Sequence, residues 1–326
     1  MRLSASEIVP IAQSKGFDSF MIEKVIHLFH LLNMLNSHPY LKNKFVLKGG
    51  SAINLFYYEL PRLSIDIDLN YIFEIDRDRM IDNRPKVEKA IQAVLQREDY
   101  VIKKLPNEHA GGKWRIQYMN YKGQTGNLEI DLNYMFRIPL WNVQSMSSFN
   151  LGDFKVNSFY ILDIHELAAG KMAALFSRHQ ARDLFDVHKL LTCSDLNMEY
   201  LRTAFIVYGA FNRKDWRTIS LKDIEINPKD VLQSLSPVLQ RKYISDRKTT
   251  MIFVKQMIND CCEKLSNIIT FSKKEKMFLD EILTKGNINP SLITDNKDLQ
   301  DRINRHPLLQ WKAKNVREFL LKNSNY

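Results

Sequence analysis

Apolar positions along the first half of the chain recur with two different periods. Over 18–36, Ile22, Val25, Ile26, Phe29 and Leu32 return every three or four residues, the spacing of one helix face, with Asp18 placed as N-cap. A shorter helix is predicted over 4–14. Phe45-Val46-Leu47 is an uninterrupted apolar triplet, read as a short buried strand. In Ile65-Asp66-Ile67-Asp68-Leu69 apolar and acidic residues alternate, the period of a half-buried strand, so Asp66 and Asp68 share a face. Helical spacing returns over 82–96. Alternating stretches at 114–121 and 127–134 flank Lys122-Gly123-Gln124-Thr125-Gly126 and predict a hairpin. Together these elements predict an α+β fold: a small mixed sheet with flanking helices.

After residue 160 the pattern becomes helical. Asp163 and Glu166 have the spacing of a capping box, opening a helix that runs to about Arg178, and a second helix starts near Arg182. Further helices are predicted over 197–208, 230–239, 246–270, 273–284 and 308–321, separated by polar joints. No internal repeat or low-complexity tract appears. The expected organisation is a sheet-based core over 1–160 and a helical domain over 161–326.

Composition narrows the function classes. With 326 residues and 45% hydrophobic content the chain can build two cores. No apolar run approaches the ~20 residues needed to cross a bilayer, and Glu7 and Pro10 interrupt any apolar leader, so a cytoplasmic protein without membrane partners is expected. Cys193, Cys261 and Cys262 lack disulfide-framework or zinc spacing and read as packing residues. The net charge of +10 is unevenly distributed. Residues 201–326 carry 23 Lys and Arg against 14 Asp and Glu, whereas 1–200 carry 24 against 23. A basic helical half beside a neutral half points either to a polyanion, with nucleic acid foremost, or to a lysine-rich solubility surface.

The candidate chemistry lies in Lys48-Gly49-Gly50-Ser51, followed by Arg62-Leu63-Ser64-Ile65-Asp66-Ile67-Asp68. Same-face strand neighbours lie roughly 6.5–7 Å apart at the backbone. Asp66 and Asp68 are thus placed to converge on one hard cation, Mg2+ or Mn2+, that keeps positions open for phosphate oxygens. The glycines admit left-handed backbone and close approach, and the Ser51 hydroxyl is suited to a phosphate oxygen. The apolar run 52–58 is expected to form a helix pointing its N-terminus at that phosphate. Leu128-Glu129-Ile130-Asp131-Leu132 repeats the apolar/acidic alternation. If its strand lies beside that of Asp66 and Asp68, Asp131 becomes a third metal-binding carboxylate, or takes a proton from an attacking hydroxyl; otherwise it is a solvated face. Lys171, set among small residues, is assigned to nucleotide phosphate. Asp183 and Asp186, three apart, either orient Lys171 or contact base or ribose, the alternative being first-turn acids that complement the helix dipole. His165 and His188 are treated as structural.

With Gly49-Gly50-Ser51, Arg62, Ser64, Asp66-Ile67-Asp68, Asp131, Lys171 and Arg182-Asp183-Leu184-Phe185-Asp186 in this order, the chain resembles the AbiEii family, nucleotidyltransferase-like toxins of type IV toxin-antitoxin and abortive-infection systems. The resemblance implies a polymerase-β-type nucleotidyltransferase core followed by a helical domain, and Mg2+-dependent transfer of nucleotides from an NTP. In some members the acceptor is the 3′ end of tRNA. It further implies that Gly49, Gly50, Ser51, Arg62 and Ser64 belong to the nucleotide-binding set, that Asp66 and Asp68 hold metal, that Lys171 holds phosphate, that Asp183 or Asp186 completes the catalytic set, and that a cognate antitoxin exists. Two rivals use the same residues: a small-molecule nucleotidyltransferase of the aminoglycoside-modifying kind, disfavoured by the basic second half, and a non-catalytic nucleotide- or partner-binding domain, disfavoured by the intact Ser51, Asp66, Asp68 and Lys171.

Overall fold

The structure, a computed structural model, describes residues 1–244 and 246–323. The chain divides into two compact units. The first comprises Met1–Arg137, Val143–Leu162 and Ser234–Thr250, and the second Ile138–Asn142, Asp163–Gln233 and Met251–Tyr326. The main break at Leu162 falls two residues from the expected boundary, but two segments lie on the other side of the division from their neighbours in sequence.

The described residues of the first unit form a mixed seven-stranded sheet. Its strands are β1 (Phe45–Leu47), β2 (Asp66–Tyr71), β3 (Val101–Lys104), β4 (Gly111–Met119), β5 (Thr125–Asn133), β6 (Gln144–Met146) and β7 (Phe159–Ile161), in the order β3-β4-β5-β2-β1-β7-β6. β1 runs antiparallel to β2 and parallel to β7, while β2 runs parallel to β5. Ile67, Leu69, Ile130 and Leu132 are buried on one face, each worth about 2 kcal/mol of transfer free energy, and the intervening acids occupy the other. Three of these strands have no counterpart in the predicted pattern. β3 is largely exposed, β6 is polar and β7 is three residues long, so none has an alternation to read.

Helix α1 (Ala5–Lys15) ends at Gly16 in the left-handed conformation, and α2 (Ser19–Ser37) starts as predicted, with Asp18 accepting the N–H groups of Phe20 and Met21. Helix α4 (Arg77–Arg97) begins five residues before the predicted start. Asp76 caps its first turn by accepting from Asp78 and Arg79, and Pro85 lies inside the helix. The segment 234–250 joins this unit through the backbone: Leu63 N–H donates to the Val238 carbonyl at 2.8 Å, and Arg241 N–H to the Gly16 carbonyl at 2.9 Å.

The second unit is helical, built on α5 (Ile164–Arg178), α6 (Ala181–Cys193) and α7 (Met198–Ala210), followed by helix Arg247–Ile268 from Met251 onward and helices Lys273–Asp280, Lys297–Arg305 and Pro307–Asn323. Phe176, Phe205 and Trp216 form an aromatic core with ring centroids 5.0–6.0 Å apart. Two predictions are corrected here. Asp163 caps α5 through His165 N–H, but Glu166 does not close a capping box. It is buried, and accepts from the N–H of Leu140 at 2.8 Å and Trp141 at 3.3 Å and from the Tyr208 hydroxyl at 3.1 Å. Burial pushes its carboxyl up to about 8. Residues 230–239 do not form one helix, because Pro237 lacks an N–H and the segment breaks into a π-turn and a 3-10 turn. The helix Lys297–Arg305 was not predicted. No helix among the described residues is long and apolar enough to cross a membrane.

Candidate active site

The strand pairing of the first unit places the motif residues. Because Leu47 of β1 faces Leu69 of β2 and Lys48 N–H donates to the Asp68 carbonyl at 2.9 Å, the chain leaving β1 turns directly over Asp68. Gly49 makes that turn with φ +70°, and a Cβ there would meet the Asp68 carboxyl, 3.1 Å from Cγ and nearer still to Oδ2. Gly50 lies against the Arg62 guanidinium and the Ser64 hydroxyl, which would stand 2.5 and 2.8 Å from a Cβ. Gly49 is favoured by its left-handed backbone, and at both positions a Cβ would force the neighbouring side chains to shift.

Three expectations about this turn change. The glycines do not precede a helix over 52–58. Gly49–Ala52 is itself the first helical turn, α3, and it runs into a π-helical turn over Ile53–Tyr57. Ser51, expected to contact phosphate, is fully buried. Its hydroxyl donates to the Asp66 carbonyl and lies 3.0 Å from the Ser64 hydroxyl, tying the turn to the start of β2. Arg62, expected among the nucleotide-binding residues, is also buried, with Nη1 donating to the Leu63 carbonyl at 2.7 Å. Arg62, Ser64 and Ser51 are the underlayer of the turn.

The acids gather as the alternation suggested. β2 and β5 are parallel neighbours in which Asp68 pairs with Asp131 and Asp66 with Glu129, so the two chains stand about 4.8 Å apart. The two β5 acids differ in character. Glu129 accepts from Lys113 at 2.8 Å and from Arg115 at 2.8 Å; the Lys113 bond leads in holding its carboxyl below the usual range. Asp131 is raised, first by burial and then by the Asp68 charge, with Lys48 and Lys113 opposing. Crowded carboxylates on adjacent strands, with oxygen donors only, fit a hard divalent cation. As the side chains stand, no three Asp, Glu, His or Cys among the described residues converge tightly enough to hold an ion. The register fixes the backbones of Asp66, Asp68 and Asp131, leaving side-chain rotation to complete a ligand set.

A second charged cluster lies within the helical unit. Lys171 on α5 reaches Asp183 Oδ1 at 2.9 Å and Asp186 Oδ2 at 2.8 Å, both on α6, and Arg178 holds the other Asp183 oxygen at 2.9 Å. Asp183 and Asp186 are buried. Both carboxylates thus face the Lys171 ammonium. His165 bonds Asp163 and accepts from the Asn197 N–H, and His188 bonds Asp260.

Sequence reasoning passed over two features near the acids. Lys48, adjacent to Gly49, stands over the Phe136 ring at 5.0 Å. A cleft of about 270 Å³ opens at the start of β4, with Asp131 on its wall. The adjacent Gly111 and Gly112 were the legible sign of that cleft, since both adopt positive φ.

A mixed sheet with an Asp-x-Asp strand, a third Asp in register on its parallel neighbour and a Gly-Gly-Ser turn folded onto the first pair fits a nucleotidyltransferase. The sequence matches the family described as "Nucleotidyl transferase AbiEii toxin, Type IV TA system" over residues 30–256, and the chain belongs to that family. No curated protein sequence matches it. Among solved structures, it is similar to MenT4, a nucleotidyltransferase toxin from Mycobacterium tuberculosis, with a TM-score of 0.59 at 14% identity, covering 93% of this chain and 98% of that one. That likeness establishes the shared fold.

Proposed function

We propose that this toxin transfers a nucleotidyl group from an NTP to an RNA hydroxyl, with the 3′ end of tRNA as acceptor, and so inhibits translation. The observation that carries the reading is the in-register pairing of Asp68 with Asp131 beneath the Gly49 turn. Asp66, Asp68 and Asp131 would hold Mg2+ or Mn2+, which when bound supplies charge stabilisation at the reacting phosphate. The acceptor oxygen forms a bond to the α-phosphorus as the bond to the pyrophosphate oxygen breaks, and the hydroxyl proton is lost to Asp131 or to solvent. Gly49 lets the turn lie on Asp68, and Ser51 and Arg62 fix it from below. Lys171, oriented by Asp183 and Asp186, binds phosphate. The excess of basic residues after 200 supports a polyanionic acceptor. The reaction belongs in the cytoplasm, where NTP and tRNA are found, and a cognate antitoxin restrains it.

Incubating the protein with each radiolabelled NTP, Mg2+ and total RNA tests the reading. Label in the tRNA band, lost in Asp66→Ala and Asp68→Ala variants of unchanged melting temperature, supports it. Label only on an added small acceptor, or none anywhere, overturns it, as does full activity of Asp66→Ala.

A further inference from the structure

In transfer to phosphorus, the attacking and departing oxygens stand on opposite sides of the reacting atom. In this sheet that requirement assigns sides. Reading across it, the Gly49 turn follows β1, Asp68 lies on β2, Asp131 on β5, and the cleft opens beside β4. If the triphosphate lies on the Gly49 side, as the function proposed above has it, pyrophosphate departs over β1 and β2. The attacking hydroxyl must then arrive from the β4 side.

The cleft there is built into the fold. Its walls include Lys104, Asn107, Glu108, Lys113, Asp131 and Asn133. Gly111 and Gly112 have φ of +121° and +134°, a region open essentially to glycine. A Cβ on Gly111 would strike the Leu132 backbone of β5, and one on Gly112 would stand 3.3 Å from Pro106. The loop 105–110 can therefore lie down on β4. It is pinned by Gly111 N–H to the Glu108 carbonyl at 3.1 Å and by Tyr134 N–H to the Ala110 carbonyl at 2.8 Å. Asn133 is locked in turn, its Oδ1 accepting from the N–H groups of Met135 at 2.7 Å and Phe136 at 3.2 Å. Lys104 on β3 and Lys113 on β4 bring two cations to the cleft, and Lys104 is exposed.

We propose that this cleft is the acceptor subsite. It receives the 3′-terminal nucleotide of the RNA, sets the terminal hydroxyl beside Asp131, and meets a backbone phosphate with Lys104. The new bond joins that oxygen to the α-phosphorus. The bond that breaks releases pyrophosphate towards the Gly49 turn, and the proton passes to solvent. The rival occupant is the NTP itself.

Photocrosslinking of the full-length protein separates the two. A tRNA carrying 3′-terminal 4-thiouridine and an 8-azido-NTP are irradiated in parallel with the protein, and the adducts are mapped by mass spectrometry. The RNA probe is expected within 104–113 and the nucleotide probe elsewhere. A nucleotide adduct within 104–113, or an RNA adduct found only outside it, overturns the assignment. Lys104→Glu should lower the slope of log affinity against log salt for RNA by about one and leave nucleotide affinity unchanged; an unchanged RNA slope counts against the subsite. An RNA adduct in the cleft with no transfer of radiolabel to RNA would refute the transferase reading and leave the subsite standing.

Discussion

Gly49→Ala is a sharp test of how the turn and the acids depend on each other. The substitution has two separable costs. Alanine at φ +70° is held in the left-handed region, about 1–2 kcal/mol less favourable than for glycine. The new Cβ also enters the space of the Asp68 carboxyl, with Cγ at 3.1 Å and Cβ at 3.3 Å, an overpacking of about 1–3 kcal/mol. The total expected from urea denaturation is about 2–5 kcal/mol with an unchanged m-value. Displacing Asp68 should also abolish nucleotidyl transfer. Most of the second cost belongs to the carboxyl, so a double-mutant cycle isolates it: in an Asp68→Ala background, which keeps only the Cβ at 3.3 Å, Gly49→Ala should cost little more than the backbone part, about 1–2 kcal/mol. Equal costs in the two backgrounds would refute the claim that Gly49 is required by the approach of Asp68.

Other outcomes follow from the charged groups. Asp131→Asn relieves a raised carboxyl crowded by burial and Asp68, so melting temperature should hold or rise while transfer to RNA falls at least about 100-fold. Lys171→Met removes the ammonium that Asp183 and Asp186 share in a buried setting, leaving Asp183 paired with Arg178, and should cost about 3 kcal/mol. Adding Asp183→Asn and Asp186→Asn should restore much of the stability and none of the activity; an active triple variant would remove Lys171 from the phosphate site. Glu166 prefers its proton in the folded state, so the stability it contributes is complete below pH ~4.5 and is lost as pH rises towards 8. The difference in unfolding free energy between wild type and Glu166→Gln should therefore change over that window by up to about 1.4 kcal/mol per pH unit, and parallel curves would contradict it.

The elements readable from sequence were those whose own residues carry their signal. α2 has its apolar stripe and the Asp18 cap, β2 and β5 their strict alternation, and the hairpin its Lys122-Gly123 turn. What escaped depends on partners distant in sequence. β6 and β7 are strands because they pair with each other and because Leu47 pairs with Ile161. Glu166 has the spacing of a capping box, yet burial beside Tyr208 and the Leu140–Trp141 backbone turns it inward. Within the site the acids were legible because a two-residue period fixes a face. The direction of the Ser51 hydroxyl was not, since a Gly-Gly-Ser string is compatible with a serine turned towards a ligand or into the protein, and here the Asp66 carbonyl and Ser64 decide it.

The path of the chain between its two units bears on when this toxin becomes one. Residues 62–63, at the approach to the Asp-x-Asp strand, find their backbone partners at Val238 and Leu239, some 175 residues later. A ribosome making the protein exposes Gly49, Asp68 and Asp131 long before those partners emerge. Because synthesis runs from the N-terminus, the nascent first unit stays incomplete until more than two-thirds of the chain has been made. The approach to the strand that carries Asp66 and Asp68 thus receives its last backbone partners late, after most of the ribosome's work on the chain is done.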